Sequence, residues 1–471
     1  MPSGGIVMGA TRSSRLSRRT LIGSALATGA GAAGAAVVAD KERNLEVATR
    51  SRPEQQPNVL VILADDMGWG DLSCYGAPEI RTPRLDELAS TGIRFTDSYS
   101  ASSVCSPTRF GLYTGRYPGR LAGGLQEPIG EKTEIDGIPE GQPTLASLLK
   151  GAGYDTAMFG KWHCGFLPWF SPTRVGWDEF FGNFSGAVDY FSKMSHLGEH
   201  DLYEGEVEHE DLRYYTEILT ERAVEYIAGN RERPWLLNLN YTTPHWPWEG
   251  PDDRAVSDAL ARRIEKGTSK LAHLDGGSLE VYRTMVEDLD RSVGRVLGSL
   301  DQSGQRRDTV VLFASDNGGE RFSYTWPFKG GKFYLDEGGI RVPTILSWPG
   351  TLPGERVSRE PVVTMDWTAT LVELAGARPE ASHPFDGTSL VPYLFEGRRL
   401  RTRDLFFRMN GQRALRRGDL KYRQDDEGTD FLYDLVADQH EQADISVLRS
   451  GDLKALRAAW EAVDADLLPY D

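Results

Sequence analysis

Short, strongly apolar runs recur along this chain and alternate with stretches of helical periodicity. Three of these runs are apolar enough to be buried on both faces of a sheet: Asn58–Ala64, residues 235–241 and Thr309–Ser315. Residues 212–228 and 279–300 show the clearest helical pattern. Such alternation is typical of an α/β protein, so we expect a mostly parallel central sheet flanked by helices.

Shorter helices are indicated by their end signals. Thr82 and Pro83 are suited to open a helix, and Gly92 is suited to close it. Residues 144–150 and 365–375 have the composition of two further helices. These segments fall between the apolar runs, as the connections of a parallel sheet do.

The pattern changes in the last fifth of the chain. Short, charged, turn-rich segments such as 415–422 and 431–435 follow, and a helical pattern over 453–467 ends the sequence. We therefore expect an α/β domain over 58–375 and a smaller α+β subdomain with an antiparallel sheet over 376–471.

The first 39 residues have the features of an export signal. The motif SRRTLI at 17–22 precedes a weakly apolar, Gly- and Ala-rich run over 23–39, which is typical of twin-arginine signals. Small residues before Asp40 suit cleavage, and a polar linker over 40–57 follows. An uncleaved membrane anchor is the alternative, although the glycines and alanines make a poor one. We expect an exported protein that crosses the membrane folded.

Charge and cysteine content exclude several classes of function. The 471 residues carry a formal net charge of −16, which argues against nucleic acid or an anionic membrane as the main partner. An anionic substrate would have to be drawn in by local positive groups. The three cysteines, Cys74, Cys105 and Cys164, form neither a metal motif nor a closed disulfide framework, and a bridge between Cys74 and Cys164 is the minor alternative to buried thiols.

Acidic and amide side chains follow two of the apolar runs. Asp65 and Asp66 come directly after the first run, and Asp316 and Asn317 come directly after the run at Thr309–Ser315. Either pair alone is typical of a turn or a helix cap. Because parallel strands end at the same edge of a sheet, both pairs together indicate an all-oxygen site for a hard cation such as Ca²⁺ or Mg²⁺.

Basic side chains occupy comparable positions. Lys161 and His163 follow the extended-looking segment 154–159, where a spacing of two predicts that they share one side. His245 ends the segment after the run at 235–241, and Lys332 lies in a glycine-flanked loop. A lone lysine or histidine is usually solvated or structural. A functional role for these four residues therefore requires that they meet at one edge of the sheet.

Cys105 and Arg109 form a compact pattern of their own. Pro107 is suited to the first turn of a helix, which predicts Cys105 near the helix start with free N–H groups that favour an anion. Arg109 is the fourth residue after Cys105, so both side chains lie on one helix face. The pattern alone also fits a structural cysteine beside a surface arginine. A thiol phosphatase loop places five residues between cysteine and arginine, whereas this chain has three.

Six segments follow one another along the chain: NVLVILADDMGWGDLSCYG, CSPTRFGLYTGRYP, GYDTAMFGKWHCG, LNYTTPHWPWEGP, LFASDNGG and KGGKFYLDEGGIRVP. In this order they resemble the type I, formylglycine-dependent sulfatases of the alkaline phosphatase superfamily, and the segment HWPWEGP looks most similar to arylsulfatases and N-acetylgalactosamine-6-sulfatases. A later segment, FLYDLVADQHEQADI, is similar to the usual C-terminal hairpin of that family. The resemblance covers nearly the whole chain after the signal and implies the same α/β fold.

The resemblance also implies a role for each matched residue. Cys105 would be oxidised to formylglycine by a formylglycine-generating enzyme and would then be the nucleophile. Ca²⁺ would be held by Asp65, Asp66, Asp316 and Asn317, with modified Cys105 beside them. Arg109 and His163 would support the nucleophile, and the sulfate would contact Lys161, His245 and Lys332. Ser185 matches a further active-site position only loosely.

The function that this resemblance implies is hydrolysis of aryl or carbohydrate sulfate monoesters. A phosphodiesterase or phosphonate monoester hydrolase of the same superfamily is the first alternative. A non-catalytic protein that binds sulfated glycans is the second. A platform for sugar rings is one reading of the tryptophans near the motifs, and core packing is the other; they are Trp162, Trp169, Trp246, Trp248 and Trp326. Neither the substrate nor the oligomeric state follows from the sequence.

Overall fold

A ten-stranded, mostly parallel sheet organises the protein in this computed structural model, which describes residues 55–229, 231–266 and 276–470. The predicted export signal over 1–39 and most of the linker over 40–57 lie outside the described residues. In chain order the strands are β1 (Asn58–Ala64), β2 (Gly92–Phe95), β3 (Ser98–Tyr99), β4 (Asp155–Gly160), β5 (Glu179–Gly182), β6 (Tyr203–Glu204), β7 (Val207–Glu208), β8 (Trp235–Asn240), β9 (Thr309–Ser315), β10 (Thr344–Ser347), β11 (Arg356–Ser358), β12 (Val362–Val363), β13 (Asp404–Met409), β14 (Gln412–Arg417), β15 (Leu420–Gln424) and β16 (Asp430–Asp434).

Helices connect and cover these strands. They are α1 (Pro83–Ser90), α2 (Cys105–Thr114), α3 (Leu145–Gly151), α4 (Tyr215–Ala228), α5 (Arg254–Glu265), α6 (Leu279–Gln302), α7 (Glu337–Ile340), α8 (Thr364–Leu374), α9 (Val391–Glu396) and α10 (Ser450–Asp464). Within the described ranges, none of the helices has both the length and the apolar composition that crossing a membrane requires.

The large sheet has the order β11-β2-β10-β9-β1-β8-β4-β5-β6-β7. Its centre, from β9 through β1, β8 and β4 to β5, is parallel throughout, and β10 and β6 run antiparallel to their neighbours. The register pairs Ala64 with Ser315 and Gly160 with Asn240, so four central strands end at one edge. The α/β fold with a mostly parallel sheet is thereby confirmed.

The core lies on both faces of this sheet. Along β1, Leu60 and Ile62 join one buried cluster while Val61 and Leu63 join the other, because successive side chains of a strand point to opposite faces. Helix α6 packs on the first face, and α8 packs on the second. This two-sided burial explains why the apolar runs in the sequence are continuous rather than alternating.

A separate four-stranded antiparallel sheet, β13-β14-β15-β16, forms the predicted C-terminal element. Segment 415–422 divides between β14 and β15, because Gly418 turns the chain with a φ of +60°. Helix α10 packs on this sheet through Trp460, whose ring stacks on Phe406 at 5.2 Å between centroids. The helix spans Ser450–Asp464, three residues earlier than predicted. The proposed boundary between two domains near residue 375 stays a prediction.

Two other helix ends differ from expectation. Helix α1 ends at Ser90, and Gly92 begins β2 instead of capping the helix. A Cβ at Gly92 would lie 2.4 Å from the Leu346 carbonyl oxygen, so the glycine serves close contact between β2 and β10. Helix α4 begins at Tyr215 rather than at residue 212.

Candidate active site

The polar residues predicted at strand ends do meet at one edge of the sheet. Asp65 and Asp66 follow β1, and Asp316 and Asn317 follow β9. The segment after β4 supplies Lys161 and His163, and the segment after β8 supplies His245. Open α/β sheets bind ligands beyond the carboxyl ends of their strands, which is where this group of side chains lies.

Helix α2 brings Cys105 to the same place. The helix is buried over its whole length, and Cys105 is its first residue, with Val104 at the N-cap. Pro107 is the third helical residue rather than the first; it is accommodated because N–H groups of the first turn have no partner inside the helix. Cys105 therefore lies where free backbone donors favour negative charge.

Asp65, Cys105 and Asp316 form a compact, fully buried cluster. One ligand atom from each lies within 4.8 Å of the other two. Asp66 joins them, since its N–H donates to Asp316 Oδ1 at 3.1 Å and its Oδ1 accepts from Asn317 Nδ2 at 2.7 Å. The structure thus assembles all five predicted metal-site residues, and each of them is buried.

The donor set fits a hard divalent cation. Asp65 Oδ1 and Asn317 Oδ1 are buried and accept no hydrogen bond. Burial, together with the neighbouring Asp316 carboxylate, raises the pKa of Asp65 well above its usual value. Unpartnered oxygens on crowded, buried carboxylates are costly unless positive charge is nearby. Carboxylate and amide oxygens are the ligands that Ca²⁺ and Mg²⁺ prefer.

Arg109 supplies fixed positive charge within this cluster. Its Nε and Nη2 donate to Asp316 Oδ2 at 3.1 and 2.7 Å, and its Nη2 lies 3.7 Å from Asp65 Oδ1. Its Nη1 donates to the Lys161 carbonyl oxygen at 2.9 Å, which ties α2 to the end of β4. The guanidinium is wholly buried, so these contacts act in a medium of low polarity.

Lys161 and His163 diverge more than strand geometry predicts. Strand β4 ends at Gly160, and His163 has a left-handed backbone with a φ of +52°. Lys161 Nζ donates to Asp65 Oδ2 at 2.6 Å, whereas His163 Nε2 lies 2.9 Å from the Ile129 carbonyl oxygen. Alternation of side chains therefore does not extend past the strand end.

His163 is suited to accept a proton. Burial and the nearby Lys161 ammonium lower the pKa of His163 well below its usual value, which favours the neutral imidazole. Since Nε2 faces a carbonyl oxygen, the proton belongs on Nε2, and Nδ1 retains a lone pair. That Nδ1 is buried and has no hydrogen-bond partner.

His245 and Lys332 form a pair beside Asp66. Lys332 Nζ donates to Asp66 Oδ2 at 2.6 Å and lies 3.2 Å from His245 Nε2. Burial alone would lower the pKa of Lys332, but the Asp66 carboxylate, together with Cys105 and Glu320, outweighs burial and raises the pKa. Burial and Lys332 lower the pKa of His245, whose Nδ1 lies 2.6 Å from the Trp246 carbonyl oxygen. The pair therefore holds one positive charge, on the lysine.

The unmodified Cys105 thiol is a poor nucleophile in this setting. Burial raises the pKa of Cys105 to about 11, although Lys161 and Lys332 act in the opposite direction. The thiolate, not the thiol, is the reactive form, so little of it exists near neutral pH. This disfavours thiol-based phosphatase chemistry. All three cysteines, each within the described ranges, are free thiols, so Cys74 and Cys164 form no bridge.

Several residues at the site escaped the sequence analysis. Asn240 Nδ2 donates to the Lys161 carbonyl oxygen at 3.0 Å, and Glu320 Oε2 lies 3.4 Å from Lys332 Nζ. A polar residue in a buried strand was the available signal for Asn240, and adjacency to the Asp316 motif was the signal for Glu320. Gly186 packs on the His163 ring so closely that a Cβ would lie 2.5 Å from Cε1.

Ser185 and the five tryptophans near the sequence motifs differ in how deeply they are buried. Ser185 is buried next to Gly186, and its hydroxyl donates to the Ala187 carbonyl oxygen at 3.1 Å. Trp162 is fully buried and stacks on Tyr113 at 5.2 Å, which makes it a core residue. Trp248 is also buried, while Trp169, Trp246 and Trp326 retain exposed surface.

Known proteins resemble this chain over most of its length. The sulfatase family model matches residues 57–377. N-acetylgalactosamine-6-sulfatase of Sus scrofa is 33% identical over 403 residues, which cover 78% of this chain and 71% of that relative. Steryl-sulfatase of Mus musculus is 30% identical over 449 residues, which cover 76% of this chain and 68% of that relative.

Solved structures share the fold. The crystal structure of Ps i-CgsB superposes with a TM-score of 0.78 at 28% identity, over 87% of this chain and 92% of that chain. The PsFucS1 sulfatase from Pseudoalteromonas sp. superposes with a TM-score of 0.71 over 92% and 93% of the two chains, and its 24% identity supports the fold alone. The chain therefore belongs to the sulfatase family of sulfuric ester hydrolases.

Proposed function

We propose that the protein hydrolyses sulfate monoesters through a formylglycine made from Cys105, with a divalent cation bound by Asp65, Asp66, Asp316 and Asn317. One observation carries the proposal: ligand atoms of Asp65, Cys105 and Asp316 lie within 4.8 Å of one another at the start of a buried helix. The Cys105 sulfur occupies the place that an oxygen of the modified side chain would take. The cation would be Ca²⁺, with Mg²⁺ as the alternative.

The formylglycine and the cation would supply the parts of the chemistry that ordinary side chains lack. The hydrated aldehyde would offer one hydroxyl for attack on sulfur and a second for release of sulfate, and the cation would lower the pKa of such a hydroxyl. A plain serine or cysteine has only one such group, so it could not release sulfate in this way.

Positive side chains of the protein stabilise the sulfonyl group as the ester bond breaks. Lys161 and Lys332 carry positive charge beside Asp65 and Asp66, and His245 adds a neutral ring whose Nε2 lies 3.2 Å from Lys332 Nζ. A preorganised donor at such a position typically lowers the barrier by about 3 kcal/mol. Burial strengthens these interactions because water does not screen them.

Protons move at two positions. The departing ester oxygen takes a proton from the Lys332–His245 pair, in which the lysine ammonium is the charged member. His163 would accept a proton at Nδ1, its unpartnered nitrogen, from the second hydroxyl as sulfate is released. Arg109 holds Asp316 and the Lys161 backbone in place and contributes no proton, since arginine stays charged.

Carbohydrate and aryl sulfates are the proposed substrate classes. Relatives at 30% identity or more include N-acetylgalactosamine-6-sulfatase, steryl-sulfatase and arylsulfatase J. Ps i-CgsB, which is 28% identical, has been solved in complex with k-i-k-neocarrahexaose. These names support a sulfated glycan or a small ring-bearing sulfate.

We also propose that the protein is exported by a twin-arginine pathway after its cysteine has been modified. The support is the SRRTLI motif at 17–22 and the following Gly- and Ala-rich run. Such pathways carry folded proteins. A formylglycine-generating enzyme would therefore act on Cys105 inside the cell, before the chain buries that residue.

Comparing sulfate and phosphate esters tests the reaction class. The purified protein should hydrolyse an aryl sulfate or a sulfated hexosamine faster than the matching phosphate monoester and diester. Faster turnover of the phosphodiester would favour the phosphodiesterase alternative. Tight binding of a sulfated glycan without any hydrolysis would favour the binding-protein alternative.

Removing one carboxylate tests the cation site. Asp316→Ala should lower both cation affinity and turnover by more than about 100-fold, because it removes a direct ligand and the partner of Arg109. Asp308→Ala, an exposed position just before the same strand, is the matched control and should change neither. Calorimetric titration with Ca²⁺ measures the first effect. Full activity after thorough chelation would contradict the role of the metal.

A further inference from the structure

Phe333 stands beside the sulfate-binding lysine in an unusual conformation. It follows Lys332 directly, and its φ of +74° places a non-glycine residue in the left-handed region. Its ring centroid lies 5.4 Å from Lys332 Nζ. The side chain is nevertheless 41% exposed, so the ring is not a core residue.

Three hydrogen bonds hold this conformation. The Phe333 N–H donates to the Ser103 carbonyl oxygen at 3.1 Å, two residues before Cys105 in the sequence. Gln412 Nε2 donates to the Phe333 carbonyl oxygen at 2.9 Å, and Gln412 Oε1 accepts from the Leu335 N–H at 3.1 Å. A left-handed bulky residue persists only where its surroundings impose it, and such residues cluster at ligand sites.

Gln412 makes this a contribution of the C-terminal sheet. It is the first residue of β14, and it is buried, with 4% of its surface exposed. Its amide grips the backbone on both sides of Tyr334, which is itself 51% exposed. We call these two hydrogen bonds of Gln412 the clamp. Both polar groups of the buried amide therefore orient an exposed ring next to Lys332.

An exposed ring at this position has one physical use that fits the contacts. The ring is close to the Lys332 ammonium, and 41% of the surface of Phe333 is open to solvent. If Lys332 binds the sulfate of an ester as proposed, a leaving group on that sulfate lies within reach of the Phe333 ring, whose centroid is 5.4 Å from Lys332 Nζ. Aromatic rings stack on the apolar faces of other rings, which an open chain cannot match in shape.

We propose that Phe333, oriented by Gln412, forms an aromatic wall of the leaving-group subsite and selects sulfate esters whose leaving group carries a ring with an apolar face. This inference rests on the proposed sulfatase function and deepens it. Arenes and sugars share this chemistry. Phe333 is the contact residue of the subsite, and Gln412 is a positioning residue that acts through it.

Selectivity between ring-bearing and acyclic sulfates tests the proposal. We compare kcat/KM for an aryl sulfate, a 6-O-sulfated N-acetylhexosamine and hexyl sulfate in the full protein. Phe333→Asn removes the ring but keeps a residue that tolerates the left-handed region. It should lower the ratio of ring-bearing to acyclic kcat/KM by about tenfold, mainly through KM, which corresponds to one good aromatic contact.

Tyr334→Asn is the matched control, because it removes a neighbouring exposed ring whose side chain makes neither of the Gln412 hydrogen bonds. It should leave the selectivity ratio unchanged. Gln412→Ala should shift the ratio in the same direction as Phe333→Asn. Gln412→Glu retains the acceptor for the Leu335 N–H but loses the donor to Phe333, so it should give an intermediate ratio if the whole clamp matters.

The outcomes separate cleanly. An unchanged ratio in Phe333→Asn overturns the proposal, and so does an equal fall in kcat for all three esters, which would mean that the ring only positions Lys332. A fall confined to the aryl sulfate or to the hexosamine sulfate supports the wall and assigns its ligand. If the wild type hydrolyses none of the esters, the proposed function fails. In that case calorimetry measures the dissociation constants of matching aryl and hexyl sulfonates for the wild type and for Phe333→Asn. A preference for the aryl sulfonate that is lost in the variant supports the aromatic wall, and an unchanged preference overturns it.

Discussion

At the scale of single residues, Arg109 links the acidic and basic halves of the site. It pairs with Asp316 and approaches Asp65, and it also holds the Lys161 backbone. Each of these groups is buried, so removal of the guanidinium would leave carboxylates without a partner in a medium of low polarity. Its planar fork makes contacts in three directions, which an ammonium group cannot reproduce.

Substitution of Arg109 should therefore affect stability as well as activity. Arg109→Ala is expected to destabilise the protein by about 3–5 kcal/mol, the usual cost of breaking a buried ion pair. Arg109→Lys keeps the charge and should lose less stability but most of the activity. Urea denaturation followed by circular dichroism measures the first effect.

Arg84→Lys is the control for this pair of variants. Arg84 and its partner Glu87 are largely exposed, and such surface pairs contribute little. If Arg109→Ala were as stable as this control, Arg109 would not be the structural link between the two halves.

At the scale of elements, the loops after the strands determine where the side chains point. His163 and Asp66 both have left-handed backbones, with φ values of +52° and +62°. Gly186, on the loop after β5, packs directly on the His163 ring, where a Cβ would lie 2.5 Å from Cε1 and 2.7 Å from Nε2. The orientation of His163 thus depends on an adjacent loop that lacks a side chain at this point.

A methyl group at position 186 should displace the His163 ring without unfolding the sheet. Gly186→Ala is expected to lower kcat by about 100-fold, because a shift of about 1 Å in a reacting group typically costs that much. Gly298→Ala on the surface of α6, where no atom lies within 4 Å of the added carbon, is the control and should stabilise the protein slightly. Steady-state kinetics with thermal unfolding distinguish the two effects. An unchanged kcat in Gly186→Ala would mean that His163 takes no part in turnover.

The sequence predicted best the positions of strands that are buried along their whole length. The apolar runs predicted β1 and β9 to the residue and β8 to within one residue, since both faces of these strands are covered. The carboxyl-end rule then placed Asp65 and Asp316 together. The sequence did not reveal the role of Gln412. This residue contacts Phe333, which lies 79 residues earlier in the chain, and no local sequence pattern indicates such a contact. The expectation that Lys161 and His163 share one side was wrong, because the left-handed backbone of His163 interrupts strand alternation.

At the scale of the whole molecule, a buried charge network joins the C-terminal sheet to the α/β sheet. Lys421 on β15 donates to Glu337 Oε1 at 2.9 Å and pairs with Glu441 at 2.8 Å. Arg341 also pairs with Glu337, at 3.1 Å. Glu337 begins helix α7, five residues after Lys332, so the network anchors the loop that carries this lysine.

Acid should weaken this junction. Burial alone would raise the pKa of Glu337, but Lys421, Arg341 and Arg416 outweigh it and lower the pKa to about 2. A carboxyl whose folded pKa is depressed stabilises the protein above its unfolded pKa of about 4.5 and loses that contribution as the pH falls towards 2. The shift corresponds to about 3 kcal/mol at neutral pH.

The variant Glu337→Gln reports this contribution directly. It should be less stable than the wild type at pH 7, and the difference should shrink between pH 4.5 and pH 2. Glu427→Gln is the control, because Glu427 lies at the exposed turn between β15 and β16 of the C-terminal sheet. Its stability should equal that of the wild type at every pH. Urea midpoints measured across this pH range provide the comparison. A difference that stayed constant with pH would contradict the role of the Glu337 charge.

The chemical state of residue 105 is the claim on which the account depends. Mass spectrometry of the peptide containing Cys105, from protein produced together with a formylglycine-generating enzyme, measures it most directly. We expect an aldehyde in place of the thiol, in a fraction of molecules that follows the specific activity towards sulfate esters, and no turnover in Cys105→Ser. An intact thiol in fully active protein would contradict it.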